Sequence, residues 1–570
     1  MVKAQVGILE GDGEAEAERK LSDAVSDPWV RGHLRPLVGL AGGMEPAGTA
    51  RDEAFTAWRR YLEGLADERP VVLVFEDLHW ADDNLLDFVD HLVDWATGVS
   101  LLVVGTARPE LLTRRPAWGG GKPNALTISL SPLTDDETTR LLHELLGSVL
   151  DADTQLELLG RAGGNPLYAE EFVRMLRDRG RVGELPETVQ GLIAARLDLL
   201  DPAQKGLLQD AAVIGKRFWT GALASLSGLD RRALEARLHE LERKEFVRRE
   251  RASSVVDEDE YAFRHLLVRD VGYAQIPRAE RAEKHLQAAG WIEQLGRRED
   301  HAEMLAHHYL QALELTAAAG GSVTDFASRA RAALADAGER AMALSAYDAA
   351  VRFFGAALDL LPPGDSQRGR LSLRLGRAAF LLGEPAVALL EAARDELVAA
   401  GDSEGATEAQ LALAESLWMA GESELGLEAA QRAQELSQRL GDSPTKARVV
   451  LLMSRFLFLA GRAEEAIVYG EDALALAAEL GLDDVRAAAL VNVGTARATL
   501  AGESWRTDLG EAAEAARAAN VPFDLVRAKG NAASWHWTYG ELTEALALWE
   551  EAHRIALEFG QIGFARWFRG

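Results

Sequence analysis

Two adjacent carboxylates, Glu76 and Asp77, follow five apolar residues, Val71 to Phe75. The run reads as a buried parallel strand that delivers acids to its C-terminal edge. Acids placed there hold Mg²⁺ and orient a water for attack on a terminal phosphate. Leu78, His79, Trp80, Ala81 and Asp82 follow directly. Such chemistry also needs a backbone cradle for phosphates, Gly-x-x-x-x-Gly-Lys-Ser/Thr. No such sequence occurs in the 570 residues. The nearest approach is Trp118-Gly-Gly-Gly121-Lys122-Pro123. It has Pro116 where the first glycine belongs and Pro123 where a hydroxyl must hold the metal, so it reads as a turn. Alone, Glu76 and Asp77 read equally as acids where a strand meets solvent.

The elements around these acids follow from hydrophobic periodicity. An amphipathic helix is expected from Asn84 to Trp95, and a second buried strand over Ser100–Gly105, ending at Thr106, Ala107, Arg108 and Pro109. Strand, crossover helix and strand make a parallel βαβ unit. A third strand is expected at Ala125–Leu130. Asp135 or Asp136 caps a helix running to about Leu146. Gly163-Gly164-Asn165-Pro166 then breaks the chain before another amphipathic helix, Leu167–Leu176. Over 188–280 two helical stretches precede candidate strands at Phe246–Arg251 and Tyr261–Phe263, which is the order of a winged helix.

Beyond about residue 300 the pattern is helical and repeats. Corner glycines stand at Gly383, Gly421, Gly461, Gly502 and Gly540. A second set stands at Gly401, Gly441, Gly481 and Gly560, with Asn520 filling its remaining place. Each unit is then a pair of antiparallel helices of about 15 residues, a tetratricopeptide-like solenoid of slightly long period. Trp505, Trp535 and Trp537, near the corners, read as core. Trp567 and Phe568 read as an exposed end where further chain would pack. His307 and His308 read as a structural pair.

Composition narrows the function. There is no cysteine, hence no disulfide and no thiolate site. No signal peptide and no run of 18 apolar residues is present, so the expected location is the cytosol, with no membrane partner. A net charge of −28 disfavours direct nucleic-acid binding. Only the stretch Arg243–Arg251 is locally basic.

In order, the motifs are Val-Phe-Glu76-Asp77-Leu-His79-Trp80-Ala-Asp82, Ala-Arg108-Pro-Glu-Leu-Leu, Gly-Gly-Asn-Pro-Leu and Phe263-Arg264-His265-Leu-Leu-Val-Arg269-Asp270. The set resembles the signal-transduction ATPases with numerous domains, the STAND class. More closely it is similar to bacterial AAA-type ATPase–tetratricopeptide regulators, in which the ATPase follows an adenylate/guanylate cyclase domain or precedes a LuxR-type helix-turn-helix. The resemblance implies an α/β P-loop-type ATPase remnant, a winged helix and an all-α solenoid. The implied division is 1–69 (helical remnant of the ATPase), 70–187 (ATPase core and lid), 188–280 (winged helix) and 281–570 (repeats). It makes Glu76 and Asp77 the Walker B acids for Mg²⁺ and the attacking water. Thr106 and Arg108 fall in the sensor-1 region, Gly164 and Pro166 in the Gly-x-Pro motif against adenine, and His265 at the ADP β-phosphate.

The bland readings stand beside these: Arg108 as a surface arginine, Gly164-Asn165-Pro166 as a helix breaker, and His265 as an interface histidine. His79 and Trp80 read as packing behind the site. The resemblance further implies ATP or ADP as ligand, weakly held without the phosphate loop, and self-association on activation. Neither cyclase residues nor a helix-turn-helix are recognisable, and the chain reads as the middle of a longer regulator. Two functions compete: an ATP-dependent signalling or transcriptional regulator, truncated or degenerate, and a non-catalytic scaffold whose repeats bind a protein or peptide.

Overall fold

β1 (Val71–Phe75) and β2 (Leu101–Gly105) pair in parallel, Val71 opposite Leu101 and Phe75 opposite Gly105, and α1 (Asp83–Trp95) connects them. In this computed structural model the described residues are 2–9, 12–40, 50–147, 151–179, 186–251, 253–255, 257–295, 301–500 and 504–569. The expected corner Gly502 lies outside them. The chain divides into two compact units. One comprises Met1–Val6, Glu14–Asn124 and Leu334–Gly570; the other comprises Gly7–Gly13 and Ala125–Ala333. No helix among the described residues is long and apolar enough to cross a membrane.

In the first unit α1 starts where Asp82 accepts from the Leu85 N–H (2.7 Å), an N-cap that satisfies one orphan donor. Its inward stripe, Leu86, Val89 and Leu92, is buried. The strands depart from expectation. Their continuous apolar runs imply burial on both faces, yet Leu73 is buried while Val72 and Val74 are each 59% exposed and Leu102 is 57% exposed. A two-stranded sheet covered on one side leaves alternate residues in solvent, because strand side chains alternate between faces.

The larger part of this unit is a tetratricopeptide-like helical solenoid. Five hairpins follow one another: Arg368–Leu382 with Val387–Ala399 (hairpin I), Ser403–Met419 with Ser423–Ser437 (II), Pro444–Leu459 with Ala463–Leu480 (III), Asp483–Thr499 with Trp505–Ala518 (IV) and Pro522–Thr538 with Leu542–Glu558 (V). Corner residues Gly383, Gly421, Gly461 and Gly540 have φ from 77° to 86°, and Gly401, Gly481, Asn520 and Gly560 are also left-handed. Gly441 departs from this pattern and is not among the left-handed glycines. Small residues let neighbouring helices approach: Ala429, Ala430 and Ala433 of hairpin II pack on Val449, Met453 and Phe456 of hairpin III. Trp418 stacks on Phe456 with ring centroids 4.1 Å apart. Trp505 is buried as expected, whereas Trp537 is 57% exposed and is not core. Trp567 is 61% exposed, while Phe568 packs beside Gly530.

In the second unit the expected strand at Ala125–Leu130 does not form. That segment has no assigned strand, and Leu126, Ile128 and Leu130 are 84%, 72% and 92% exposed. An alternating pattern becomes a strand only where another backbone edge takes its hydrogen bonds. The helix Asp135–Leu146 is capped by Thr134, not by Asp135 or Asp136. Thr134 Oγ1 accepts from the Glu137 N–H and Glu137 accepts from the Thr134 N–H, a complete capping box. A three-stranded antiparallel sheet has the order β3 (Arg217–Trp219), β5 (Glu260–Phe263), β4 (Val247–Arg249), and β3 has no counterpart among the expected strands.

Helices Arg278–Ile292 and Ala302–Ala318 of this unit bury His285 and His308, whose Nδ1 atoms lie 2.9 Å apart; Tyr273 Oη is 2.9 Å from His285 Nε2. Burial, then the nearby His307, Arg269 and Arg281, push the His285 pKa down to about 3. The unfolded imidazole titrates near its ordinary value, so between these two values the unfolded chain holds a proton that the folded one lacks. Stability therefore falls as pH is lowered through that window. From this one group, urea denaturation is expected to show about 2 kcal/mol less stability at pH 5 than at pH 7. His285→Leu should flatten that slope; an unchanged slope would mean that His285 is not held neutral.

Candidate functional site

The C-terminal end of the β1–β2 pair collects four of the residues singled out by sequence: Glu76, Asp77, Thr106 and Arg108. Pairing continues past the strands, as the Thr106 N–H donates to Phe75 O (2.9 Å) and the Leu78 N–H donates to Thr106 O (2.9 Å). Asp77 sits at φ 60°, ψ 38°, a left-handed conformation that Asp tolerates better than most residues. This turns the chain sharply into the Leu78–Trp80 turn and aims the Asp77 N–H at Thr106 Oγ1 (3.1 Å). Thr106→Val keeps the shape and removes that acceptor. It is expected to cost about 1 kcal/mol and to speed amide exchange at Asp77 and Leu78; unchanged exchange would show that the hydroxyl does not hold the turn.

His79 and Trp80 do not both pack behind these acids, contrary to expectation. Trp80 is 56% exposed, with the Arg108 guanidinium 5.6 Å from its ring centroid. His79 Nδ1 accepts from the Arg108 N–H (3.4 Å), and the carbonyls of His79 and Ala81 accept from Arg114. Arg115 reaches Asp83 (2.9 Å) and Asp87 (2.7 Å) on α1, and Lys122 reaches Asp90 (3.3 Å) and Asp94 (2.6 Å). The lysine of the glycine-rich turn thus neutralises the acidic face of α1. Sequence reasoning misses Arg114 and Arg115, because arginines past a strand look like any surface basic pair.

The arrangement offers two carboxylates, a hydroxyl taken by a backbone donor and a guanidinium lying over an indole. Among the described residues no group of three or more His, Cys, Asp or Glu could hold a metal ion. No Gly-x-x-x-x-Gly-Lys sequence supplies a cradle of N–H groups. Glu76 and Asp77 are the two protein carboxylates that could face a Mg²⁺ whose other ligands come from phosphates and water, and the residues at this strand end supply no further metal donor.

Gly164, Pro166 and His265 belong to the second unit. Gly164 has φ 74°, and its carbonyl accepts from the Leu133 N–H (2.9 Å); a Cβ there would lie 2.3 Å from Leu133 O. Pro166 opens the helix α2 (Pro166–Arg179), with Asn165 Oδ1 accepting from the Leu167 N–H (3.0 Å). His265 Nε2 lies 3.7 Å from Glu170 and 3.4 Å from Arg174, both on α2. Burial, then Arg174, lowers its pKa. Around it runs a charge network that sequence reasoning missed. Glu171, fully buried, accepts from Arg174 (2.7 Å) and from the buried Arg196 (2.6 Å). Arg174 also donates to Glu245 (2.8 Å), which is held at φ 58°.

The solenoid carries the other candidate surface. First helices of successive hairpins touch one another along the array, and second helices do so less. First helices therefore line the inner, concave side. Asp524 pairs with Arg527 (2.7 Å), Arg527 donates to Asn492 Oδ1 (2.8 Å), and Asn531 donates to Thr495 Oγ1 (2.9 Å). These bonds tie hairpins IV and V on that side.

No family model matches the chain. Over 314 residues it is 27% identical to an uncharacterized protein of Rhizobium meliloti (strain 1021); the match takes 49% of this chain and 29% of that protein, so the chain spans under a third of the relative's length. A STAND protein with a tetratricopeptide repeat sensor from Pyrococcus horikoshii is similar in structure, with 15% identity, 96% of this chain and 82% of that chain covered, and a TM-score of 0.43. Aspartyl phosphate phosphatase F from Bacillus subtilis is similar with 9% identity, 75% and 96% coverage, and a TM-score of 0.36. At these TM-scores neither likeness assigns an activity, and the repeat architecture rests on this chain's own helices.

Proposed function

We propose that this chain is a partner-binding scaffold whose tetratricopeptide-like array holds a protein or peptide segment on its inner face. The observation that carries this reading is the run of five stacked hairpins with their first helices gathered on one side. Stacked hairpins form a broad concave surface whose shape is set before the partner arrives, so little ordering entropy opposes binding. A photo-crosslinking residue placed at Arg455, exposed on a first helix and set against Glu415 and Asp524 of other first helices, should capture a partner in source cells. The same residue at Glu464, exposed on a second helix, should not. No adduct, or equal adducts at both positions, would remove the reading.

A second reading is a nucleotide-dependent signalling or transcriptional regulator of the STAND class. Glu76, Asp77, Thr106 and Arg108 sharing one strand end favours it. ATP and ADP with Mg²⁺ are the proposed ligands, weakly held. Calorimetry on the full chain tests this: binding tighter than about 100 µM, lost in Asp77→Ala, would support it, and no binding would sink it for this chain.

A further inference from the structure

Parallel sheets are normally covered on both faces, and two strands alone do not make a stable sheet. Among the described residues β1 pairs only with β2, so no strand lies along its outer edge. The face bearing Val72, Val74, Leu102 and Val104 is exposed. Edges that stay single are guarded by charged side chains or by proline within the strand. Val71–Phe75 carries neither.

Charge limits what can cover this edge. A chain of net charge −28 repels its own copies. A two-fold contact also opposes identical surfaces, so a charged patch meets its own sign. β1 escapes both constraints. Its residues are uncharged, and the charges that flank it differ in sign: Arg69 stands four residues before Leu73, and Asp77 stands four after. Arg69 is exposed, and its side chain makes no ion pair or hydrogen bond among the described residues.

These positions are self-complementary. A second copy laid antiparallel along β1, with the two-fold axis at Leu73, places Val72 opposite Val74 of that copy and Val71 opposite its Phe75. Opposite residues share a face, so exposed valines meet exposed valines and inward residues stay inward. The same register sets Arg69 of each copy opposite Asp77 of the other. Other registers lose this match. Centred on Val72, pairing sets Glu68 against Glu76; centred on Val74, it sets Glu76 against Val72. β2 offers nothing comparable, since pairing centred on Val103 sets Arg108 opposite Gly98.

We infer that β1 is a self-association edge: two copies of this chain pair antiparallel through it, making a continuous sheet of order β2-β1-β1-β2 flanked by two Arg69–Asp77 pairs between copies. A specific interface generally buries more than about 1,000 Å², and one strand pair supplies less, so the dimer is weak, with a Kd on the order of 10 µM. Association also brings a cation to the strand end that holds Glu76 and Asp77, so the charge at that end depends on the second copy.

Sedimentation equilibrium of the full chain at about 100 mM salt tests this. The mass should rise from one chain toward two between about 1 and 100 µM. Val74→Lys, at an exposed position, and Arg69→Glu should each raise the Kd at least about tenfold, with circular dichroism confirming that both variants fold. Disulfides report the register without background, because the chain has no cysteine. Val72→Cys and Val74→Cys proteins, mixed and oxidised, should form the mixed disulfide several-fold faster than Val72→Cys and Leu102→Cys proteins. All three positions are exposed, but only the first two lie opposite one another within disulfide reach. A monomer up to about 100 µM, a dimer unmoved by both substitutions, or equal mixed disulfides in the two mixtures would each overturn the proposal. A dimer weakened by Val74→Lys and not by Arg69→Glu would overturn it too, since the copies would then meet in another register.

Discussion

Glu171→Ala is expected to destabilise the second unit by about 3–5 kcal/mol, because it strips a buried charge pair of one partner. Glu171 is fully buried and holds two guanidinia, Arg174 at 2.7 Å and Arg196 at 2.6 Å. Arg196 is 1% exposed, donates also to Asp178 (3.0 Å) and to Lys244 O (2.8 Å), and lies 4.3 Å from the Phe246 ring centroid. Without Glu171, one buried cation loses its main counter-charge and cannot reach water. Arg196→Ala leaves the reciprocal defect, a buried carboxylate with only Arg174. The double variant Glu171→Leu/Arg196→Met removes both charges and should recover much of the loss, since apolar replacement of a buried pair is often close to neutral. An exposed pair such as Arg231–Glu235, 3.0 Å apart, should by comparison contribute little, because solvent screens it. Hydrogen exchange in peptides covering residues 166–197 reads the effect directly. A Glu171→Ala protein within about 1 kcal/mol of wild type would show that water reaches the site.

That network was illegible in the sequence, and the reason is general. Glu171 and Arg196 stand in helical stretches whose charged residues mostly face solvent, and nothing in a one-dimensional pattern marks the two that meet inside. The β1–β2 pair was legible because two short apolar runs flank an amphipathic helix, a combination few other structures satisfy. The solenoid was legible because its corners recur at a near-constant period and need left-handed residues. Local signals failed where tertiary context decided. Leu126, Ile128 and Leu130 alternate like a strand yet pair with nothing, and Arg217–Trp219 becomes a strand through β5 despite having only three residues. At Thr134 the capping-box spacing to Glu137 was present, but the adjacent Asp135 and Asp136 made equally good caps by type alone. Of the candidate site, the strand-end cluster of Glu76, Asp77, Thr106 and Arg108 could be assembled from motif order. The exposed stack of Arg108 on Trp80 could not, because exposure is a property of what else packs nearby.

The corner glycines divide by the same logic, and Gly560→Ala separates conformational need from packing. Gly401, Gly421, Gly461 and Gly481 are left-handed, and a methyl group added at any of them would meet nothing within 4 Å. Alanine there is expected to cost about 1–2 kcal/mol of backbone strain alone. Asn520 already occupies one such corner at φ 58°. Gly560, at φ 74°, differs: a Cβ would lie 2.3 Å from Thr56 Oγ1 and 2.5 Å from Asp52 O, both on the helix Ala50–Glu68. The hydroxyl can rotate away, but the backbone carbonyl cannot. Contacts on either side fix that helix in place. Buried Gln561 donates to Glu53, Phe559 meets Trp29 edge-on at 4.9 Å, and Arg60 lies over both rings at 5.4 and 5.7 Å. Alanine at 560 must therefore push the helix away or distort the corner, adding about 1–3 kcal/mol of overpacking to the strain. The expected total is about 2–5 kcal/mol, larger than the effect of Gly481→Ala by the overpacking alone. It should appear as faster amide exchange across residues 50–68, with the first helices of hairpins II and III unaffected. Equal losses for Gly560→Ala and Gly481→Ala, with unchanged exchange in that helix, would mean that the end of the array does not hold it.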